Sequence, residues 1–305
     1  MRTMKLGKSN LEVPVIAVGC MRIKSLDKKE AETFIQTALD EGANFFDHAD
    51  IYGAGSCEEI FAEAVHMNDD VREKLIIQSK CGIRKGMYDF SKEHILSSVD
   101  GSLKRLKTNY LDVLLLHRPD TLMEPEEVAE AFDILQSSGK VKHFGVSNQN
   151  SLQMQLLQNS LKQPIIANQL QFSIAHASMI HSGINVNMVN DSAIDRDGHV
   201  LEYCRLNNIT IQPWSPFQYG FFEGVFIGND KYPELNKKLD EIAKKYHVSA
   251  TTIAIAWILR HPSHMQPIVG TTNINRLKEC CKAAELKITR EEWYEIYRAA
   301  GNKLP

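Results

Sequence analysis

The sequence feature that most limits the fold is a repeat. A short apolar run rich in Val, Ile and Leu recurs along the chain, and an amphipathic stretch follows each run. Eight runs have this character, at residues 15–19, 44–47, 74–79, 111–116, 141–147, 165–169, 209–213 and 267–270. Strands buried on both faces give continuous apolar runs, and parallel pairing requires a crossover helix. Eight such units predict a closed (β/α)8 TIM barrel of the α/β class, with an open doubly wound sheet as the alternative.

The rest of the chain fits one barrel with two additions. No linker rich in Pro, Gly or Ser divides the sequence, which favours a single domain over residues 1–305. Residues 1–13 predict a small β-hairpin that closes the bottom of the barrel, with its turn at residues 7–10. Residues 173–198 are polar and weakly patterned. Because long loops that follow barrel strands lie over the mouth, we expect this segment to frame the site.

Composition excludes two classes of partner. The chain has 35 Lys and Arg against 38 Asp and Glu, a formal charge of −3, so we expect neither a nucleic acid nor an anionic membrane surface as partner. Its six cysteines are irregularly spaced, residues 1–10 do not resemble a secretory signal, and no apolar stretch reaches the length of a membrane span. These features predict a cytoplasmic protein with reduced thiols, as a monomer or weak oligomer.

Common nucleotide and metal motifs are missing from the sequence. Residues 53–58 begin a Gly-x-Gly pattern, but Glu58 stands where the Rossmann motif has its third glycine. Residues 7–9 lack the upstream glycine of a phosphate loop, because Arg2 stands at that position. No His-Glu-x-x-His or paired Cys-x-x-Cys spacing occurs, so we expect no bound metal.

Candidate catalytic residues stand at the ends of neighbouring predicted strands. Asp47 ends the second strand and Tyr52 follows it, Lys80 ends the third, and His117 ends the fourth. In barrel enzymes the catalytic side chains occupy the carboxyl ends of the strands, so the four residues should meet at one mouth. Each residue alone could be structural, as an ion pair, a core tyrosine or a capping histidine. Together they favour a catalytic site, because burying unused polar groups is costly.

This set of residues suits the reduction of a carbonyl group. Lys80 beside Tyr52 would favour the phenolate and lower the pKa of Tyr52 toward neutrality, so that Tyr52 could act as general acid. Asp47 would keep Lys80 charged and oriented. His117 would donate a hydrogen bond to the carbonyl oxygen as negative charge develops there.

The same segments resemble those of the aldo-keto reductase family over essentially the whole chain. Residues 46–53 resemble the family's Asp-to-Tyr signature with its five-residue offset, and residues 77–80 and 115–117 resemble the segments that carry its Lys and His. The resemblance implies an NAD(P)H-dependent oxidoreductase that reduces aldehydes and ketones to alcohols by hydride transfer. It also implies that Tyr52 is the general acid.

The resemblance further implies a cofactor site. Family residues at matching positions hold the nicotinamide carboxamide, stack an aromatic ring on the nicotinamide, and bind the adenosine phosphate. The matching residues here are Ser147, Asn148, Gln169, Trp214, Ser215, Thr271, Arg276 and Glu279. Among them, the resemblance places Arg276 at the 2′-phosphate and Glu279 near the adenine.

Departures from the family pattern limit two of these expectations. Many members carry a Lys at the position of Gly270, so one phosphate contact is missing here and the preference for NADP over NAD is weakened. Because of Arg276, NADP(H) is still expected as the preferred cofactor, with NAD(H) also possible. The chain stops soon after its last helical pattern and the loop 118–124 is short. We therefore expect an open mouth that accepts many small carbonyl compounds, aromatic aldehydes better than short aliphatic ones.

Two other functions are compatible with a barrel of this kind. One is a cofactor-binding, redox-sensing regulatory protein with slow catalysis, and the other is a phosphate-binding isomerase or lyase. The glycine-rich phosphate loops of such lyases are missing from residues 213–216, and the complete set of four candidate catalytic residues favours an enzyme over a sensor.

Overall fold

The eight apolar runs form one sheet of parallel strands in a computed structural model that describes residues 1–305. The strands of the chain are β1 (Thr3–Lys5), β2 (Glu12–Pro14), β3 (Ala17–Gly19), β4 (Phe45–Asp47), β5 (Ile76–Cys81), β6 (Ile83–Arg84), β7 (Met87–Tyr88), β8 (Leu111–Leu116), β9 (Val141–Ser147), β10 (Ile165–Gln171), β11 (Thr210–Trp214) and β12 (Ile268–Val269). Eight of them pair in the order β11-β10-β9-β8-β5-β4-β3-β12. The backbone N–H of Gln266 donates to the carbonyl of Ile211 at 3.0 Å, which joins the two end strands. The predicted barrel is confirmed.

Helices occupy the connections between the barrel strands and the segment after the last strand. They are α1 (Lys28–Asp40), α2 (Ser56–Ala64), α3 (Asp69–Arg72), α4 (Lys92–Leu106), α5 (Pro125–Ser137), α6 (Ser151–Ser160), α7 (Ser178–Ile184), α8 (Val200–Leu206), α9 (Pro233–Tyr246), α10 (Ala250–Arg260), α11 (Ile274–Lys282) and α12 (Arg290–Ala299). No helix combines the length and apolar character that crossing a membrane would require.

Helix α1 illustrates how the sequence sets these elements. The Asp27 carboxylate accepts from the backbone N–H of Glu30 at 2.8 Å, and the Glu30 carboxylate accepts from that of Asp27 at 2.9 Å. This reciprocal cap satisfies two N–H groups that the helix leaves free, and a typical cap of this kind stabilises the folded state by about 1 kcal/mol. The buried side chains of α1 recur at helical spacing on one face, and they are Ala31, Phe34, Ile35 and Ala38.

The predicted N-terminal hairpin is also confirmed. Strands β1 and β2 pair antiparallel. In the turn between them, the backbone N–H of Gly7 donates to the Thr210 hydroxyl at 2.8 Å, at the start of β11. Gly7 has a φ of +55°, and a Cβ there would lie 2.2 Å from the carbonyl oxygen of Ile166, near the start of β10. Only glycine allows this approach, which seats the hairpin at the amino ends of the strands.

Residues 173–198 do not frame the mouth, so the prediction for this segment is wrong. The segment contains α7, in which Met179 and Ile180 are buried. The ring of His181 lies 5.9 Å from that of Tyr297 in α12, so α7 packs against the last helix of the barrel. These contacts hold α7 against α12, and none of the residues 173–198 lines the cleft described below.

The barrel interior changes from apolar to polar along its axis. A cluster of ten buried apolar residues, among them Leu6 and Val13 of the hairpin and Phe45 of β4, fills the end next to the hairpin. Toward the carboxyl ends of the strands the interior contains four buried glutamines, which are Gln78, Gln169, Gln212 and Gln266. Buried amides must be hydrogen-bonded; Gln78 and Gln169 donate to Asp47, and Gln212 and Gln266 continue the hydrogen bonds behind them.

Candidate active site

The four candidate catalytic residues meet at the carboxyl end of the barrel. Asp47 is the last residue of β4, Lys80 lies near the end of β5, and His117 directly follows β8. Tyr52 is on the loop after β4, and its ring lies edge-on to that of His117 with centroids 5.9 Å apart. Asp47, Tyr52 and His117 line a cleft of about 800 Å³, while Lys80 is fully buried beneath it.

All three hydrogens of the Lys80 ammonium have acceptors. Nζ lies 2.8 Å from Asp47 Oδ2, 2.8 Å from the carbonyl oxygen of His48 and 3.1 Å from the hydroxyl oxygen of Tyr52. The Tyr52 oxygen therefore accepts a hydrogen bond from below. Since a phenol also carries one donor, the Tyr52 proton remains available to a ligand in the cleft.

The electrostatics of this pair differ in one respect from the sequence-based expectation. Burial alone would lower the pKa of Lys80, but Asp47 and Tyr52 outweigh it, and the pKa lies above its ordinary value. Burial raises the pKa of Tyr52, and the opposing effect of Lys80 is smaller, so the net shift is upward rather than toward neutrality. Tyr52 is thus a protonated phenol at physiological pH.

His117 is a neutral imidazole in this environment. Burial, together with the positive charges of Lys80 and Arg118, lowers its pKa well below the ordinary value. Its Nδ1 atom is buried without a hydrogen-bond partner in the chain. A neutral imidazole has one donor nitrogen and one acceptor nitrogen, so His117 can donate to a ligand oxygen without carrying a charge.

Four glutamines linked by hydrogen bonds, which we call the glutamine chain, hold Asp47 from inside the barrel; they are Gln78, Gln169, Gln212 and Gln266. Gln78 Nε2 donates to Asp47 Oδ1 at 2.6 Å, and Gln169 Nε2 donates to the same oxygen at 3.0 Å. Both amides also donate to Gln212 Oε1, at 3.0 and 3.4 Å. Gln212 donates to Gln266 at 2.9 Å, and Gln266 donates to a backbone carbonyl of the hairpin strand β2 at 2.7 Å. The carboxylate at one end and the carbonyl at the other fix the orientation of every amide.

Sequence reasoning did not identify Gln78, Gln212 or Gln266. The signal was present, because each interrupts or adjoins an otherwise apolar strand segment that the barrel pattern places in the interior. A polar residue at such a position needs buried hydrogen-bond partners, and the glutamine chain provides them.

Four predicted cofactor residues form one connected group beside the candidate catalytic residues. Asn148 Nδ2 donates to the Ser147 hydroxyl at 2.7 Å, and Asn148 Oδ1 accepts from Trp214 Nε1 at 3.1 Å. The second bond fixes the indole ring at the cleft wall. Ser147 donates to the carbonyl of Gln169 at 3.0 Å. Both side-chain amide hydrogens of Gln169 are donated beneath the cleft, to Asp47 and Gln212, so its Oε1 atom is the group left for a ligand.

The other predicted cofactor residues extend along the cleft. Ser215, Thr271 and Arg276 line it, the last on the first turn of α11. The Arg276 guanidinium has no hydrogen-bond or ion-pair partner in the chain. Glu279 does not line the cleft, and its backbone carbonyl accepts from the Thr252 hydroxyl at 2.9 Å.

The outer wall of the cleft comes from residues 215–225 rather than from 173–198. Phe221 and Phe222 pack on each other with ring centroids 4.8 Å apart, and each contacts the Trp214 ring, at 6.1 and 6.3 Å. Both phenylalanines are largely exposed. Arg118 and Tyr88 complete this side of the cleft. Sequence reasoning missed this aromatic wall, whose signal was the adjacent pair of phenylalanines after the seventh barrel strand.

The geometry defines a class of protein, a barrel enzyme with a buried Asp–Lys pair, a protonated tyrosine and a neutral histidine at the mouth. A model described as the Aldo/keto reductase family matches residues 15–300. The oxidoreductase YdhF of Escherichia coli is 35% identical, over 90% of this chain and 89% of its own. A 6-dehydroglucose reductase of Agrobacterium fabrum is 32% identical over 96% of both chains.

Solved structures agree with these relatives. The crystal structure of the thermostable aldo-keto reductase Tm1743, in complex with the inhibitor epalrestat, superimposes with a TM-score of 0.79 at 26% identity. The match covers 98% of this chain and 100% of that one. The chain belongs to the aldo/keto reductase family, a family of oxidoreductases that act on small molecules with nicotinamide cofactors.

Proposed function

We propose that this protein reduces aldehydes and ketones to alcohols with NADP(H) as preferred cofactor, and that Tyr52 is the general acid. The observation that carries the proposal is the placement of the Lys80 ammonium. Its three donors are all engaged, so the proton that faces the cleft belongs to the Tyr52 hydroxyl. The cofactor, when bound, supplies the hydride.

In this proposal the residues of the chain transfer one proton and stabilise one developing negative charge. Tyr52 donates its proton to the carbonyl oxygen as the carbon is reduced. Lys80, held charged by Asp47, stabilises the phenolate that remains. His117 donates a second hydrogen bond to the same oxygen and, being neutral, does not compete as an acid.

The residues of the cleft fit a nicotinamide dinucleotide that carries an additional 2′-phosphate, as NADP(H) does. Gln169 Oε1 and Asn148 offer polar atoms for a carboxamide beside the catalytic residues, and the hydrogen-bonded Trp214 offers a fixed aromatic face. At the other end of the cleft, the unpaired guanidinium of Arg276 suits a phosphate, for which arginine has a planar set of donors. This unpaired cation favours NADP(H) over NAD(H).

Two further expectations remain proposals. We propose one domain over residues 1–305, because a single cluster of 68 buried residues draws side chains from residue 15 to residue 297. We also propose a cytoplasmic location, because all six cysteines are unpaired thiols in the fold.

An isotope-transfer assay tests the function. The protein is mixed with benzaldehyde and NADPH deuterated at the transferable position of the nicotinamide, and the product is analysed by mass spectrometry. Our proposal requires benzyl alcohol with one deuterium, formed over many turnovers. Deuterium transfer limited to one equivalent per protein, or none, would favour the redox-sensing alternative.

A further inference from the structure

Arg118 is a charged residue in the cleft that the proposed reaction does not use. It directly follows His117 on the loop after β8, is half-buried and lines the cleft. Its guanidinium carbon lies 5.7 Å from the centre of the Trp214 ring and 5.6 Å from that of Phe221. The guanidinium makes no hydrogen bond and no ion pair in the chain. A cation is thus held against the aromatic wall with its donors free.

No carboxylate neutralises this cation. Burial lowers the pKa of Arg118, and the only groups that oppose this effect are the phenols of Tyr88 and Tyr52. The nearest acid along the loop, Asp120, is already used, since its two oxygens accept from the backbone N–H groups of Phe90 and Leu122, each at 2.9 Å. Arginine remains charged in proteins, and a partly desolvated charge without a partner is unfavourable. The site is therefore complementary to an anion.

The place of Arg118 distinguishes the substrate from the cofactor as the source of that anion. Arg118 adjoins His117, whose ring faces Tyr52 at the reacting end of the cleft. Arg276, the cation suited to a cofactor phosphate, lies on α11, which follows the eighth barrel strand. In the ladder order of the barrel, the strands that lead to these two arginines, β8 and β12, are four positions apart. An anion bound at Arg118 would therefore lie at the end of the cleft where Tyr52 and His117 face each other, as a group on the substrate would.

We propose that Arg118 determines substrate specificity by binding a carboxylate on the substrate, so that the preferred substrates are aldehydes or ketones with an apolar or aromatic body and an acidic group. This inference rests on the proposed reductase function. The planar fork of arginine matches a carboxylate in two parallel hydrogen bonds. The aromatic wall formed by Trp214, Phe221 and Phe222 packs the body of the same molecule.

The test compares two substrates that differ in charge and little in shape, para-carboxybenzaldehyde and para-formylbenzamide. Values of kcat/KM are measured for the wild type, Arg118→Gln and Arg118→Lys. Arg205→Gln is the control, since Arg205 is an exposed arginine on α8 away from the cleft. The ratio of acid to amide is compared between variants, so the electronic difference between the two substrates cancels.

The proposal predicts that Arg118→Gln lowers the acid-to-amide ratio about tenfold or more, the fold-change expected for a lost charge-assisted hydrogen bond. The loss should fall mainly on KM for the acid. Arg118→Lys should retain part of the preference, and Arg205→Gln all of it. An unchanged ratio in Arg118→Gln overturns the proposal. So does a higher Kd for NADPH with equal losses on both substrates, which would assign Arg118 to the cofactor.

A binding measurement separates this inference from the reductase function itself. The alcohols that correspond to the two aldehydes are titrated into the protein with NADP+, and tryptophan fluorescence reports binding. Selective binding of the acidic alcohol by the wild type, lost in Arg118→Gln, supports the anion site even if no aldehyde is reduced. Equal binding of both alcohols by the wild type contradicts it even if reduction is fast.

Discussion

Gln78 donates to Asp47, its neighbour on the adjacent strand, inside the barrel, with 2.6 Å between Nε2 and Oδ1. Neither residue is exposed to solvent by more than 2%. The carboxylate that pairs with Lys80 is thereby fixed on its other side by an amide that itself belongs to the glutamine chain. The position of the lysine therefore depends on polar packing that begins at the hairpin end of the barrel.

Replacing Gln78 should impair catalysis without affecting the cofactor. Gln78→Leu removes one of two donors to Asp47 Oδ1, and hydrogen bonds to charged groups contribute about 1.5–3 kcal/mol. We expect kcat for benzaldehyde to fall about tenfold, its pH profile to shift, and the Kd for NADPH to stay within twofold. Steady-state kinetics and a fluorescence titration measure these effects.

Gln163→Leu is the matched control for this prediction. Gln163 is also buried, and its Nε2 also donates to a carboxylate and an amide, Asp133 at 2.8 Å and Gln136 at 3.1 Å, but away from the cleft. Both variants should lose stability, while only Gln78→Leu should lose kcat. Equal kcat in the two variants would mean that Gln78 has a purely structural role.

His48 should make the protein sensitive to acid. Its side chain is fully buried with both ring nitrogens unpartnered, and burial, with a smaller effect of Lys80, lowers its pKa to about 3. The unfolded chain protonates this histidine near pH 6.5, whereas the folded chain does so only near pH 3. The free energy of unfolding is therefore unaffected by His48 above pH 6.5 and decreases as the pH falls from 6.5 toward 3. Between pH 7 and pH 4 the protonation of this histidine should lower the free energy of unfolding by about 2–4 kcal/mol.

The variant His48→Leu removes this titration. Urea unfolding at pH 7 and pH 4 should show that the wild type loses about 2–4 kcal/mol more stability than the variant does over this interval. A substitution of the exposed His66 should leave the wild-type difference intact. Parallel losses in wild type and His48→Leu would show that other groups dominate the acid response.

Arg276 should select NADPH over NADH. Arg276→Met removes the unpaired guanidinium that we assign to the 2′-phosphate. The Kd for NADPH should rise about tenfold or more, as for a lost charge-assisted hydrogen bond, while that for NADH barely changes. Lys278→Met, an exposed position on the same helix, is the control. If both cofactors weaken equally in Arg276→Met, the residue is structural.

Gly270 should accept the lysine that many family members carry there. A Cβ at this position has no atom within 4 Å, and the backbone there is not in the left-handed region that favours glycine. We expect Gly270→Lys to tighten NADPH binding about two- to fivefold, the effect of one exposed charge pair. Fluorescence titration at low and high salt measures it, and the gain should shrink with salt. Weaker binding of NADPH would contradict this placement.

The barrel, and the meeting of the candidate catalytic residues at one end of it, could be predicted because both follow from local patterns. Continuous apolar runs alternating with amphipathic stretches allow few architectures, and in a barrel the strand ends are the place for reacting groups. Asp47, Lys80 and His117 could thus be assigned to one mouth from chain position alone. Their mutual distances were not needed for that assignment.

The net direction of the Tyr52 pKa could not be predicted from the sequence. It depends on the balance between burial and the attraction of Lys80, and sequence reveals that the two residues are neighbours but not how dry their surroundings are. The wall of the cleft was missed for a similar reason. Residues 173–198 were the longer segment, but whether a segment covers the mouth depends on where its apolar side chains pack, and Met179 and Ile180 pack elsewhere.

The central claim, that Tyr52 supplies the proton, is tested most directly by Tyr52→Phe, which removes only the hydroxyl group. NADPH-dependent reduction of benzaldehyde by the variant should fall below about one-hundredth of the wild-type rate, since general acids contribute about 100- to 10,000-fold. The Kd for NADPH, measured by fluorescence on the same samples, should stay within twofold. A variant that binds NADPH normally and retains more than one-hundredth of the activity would contradict the account.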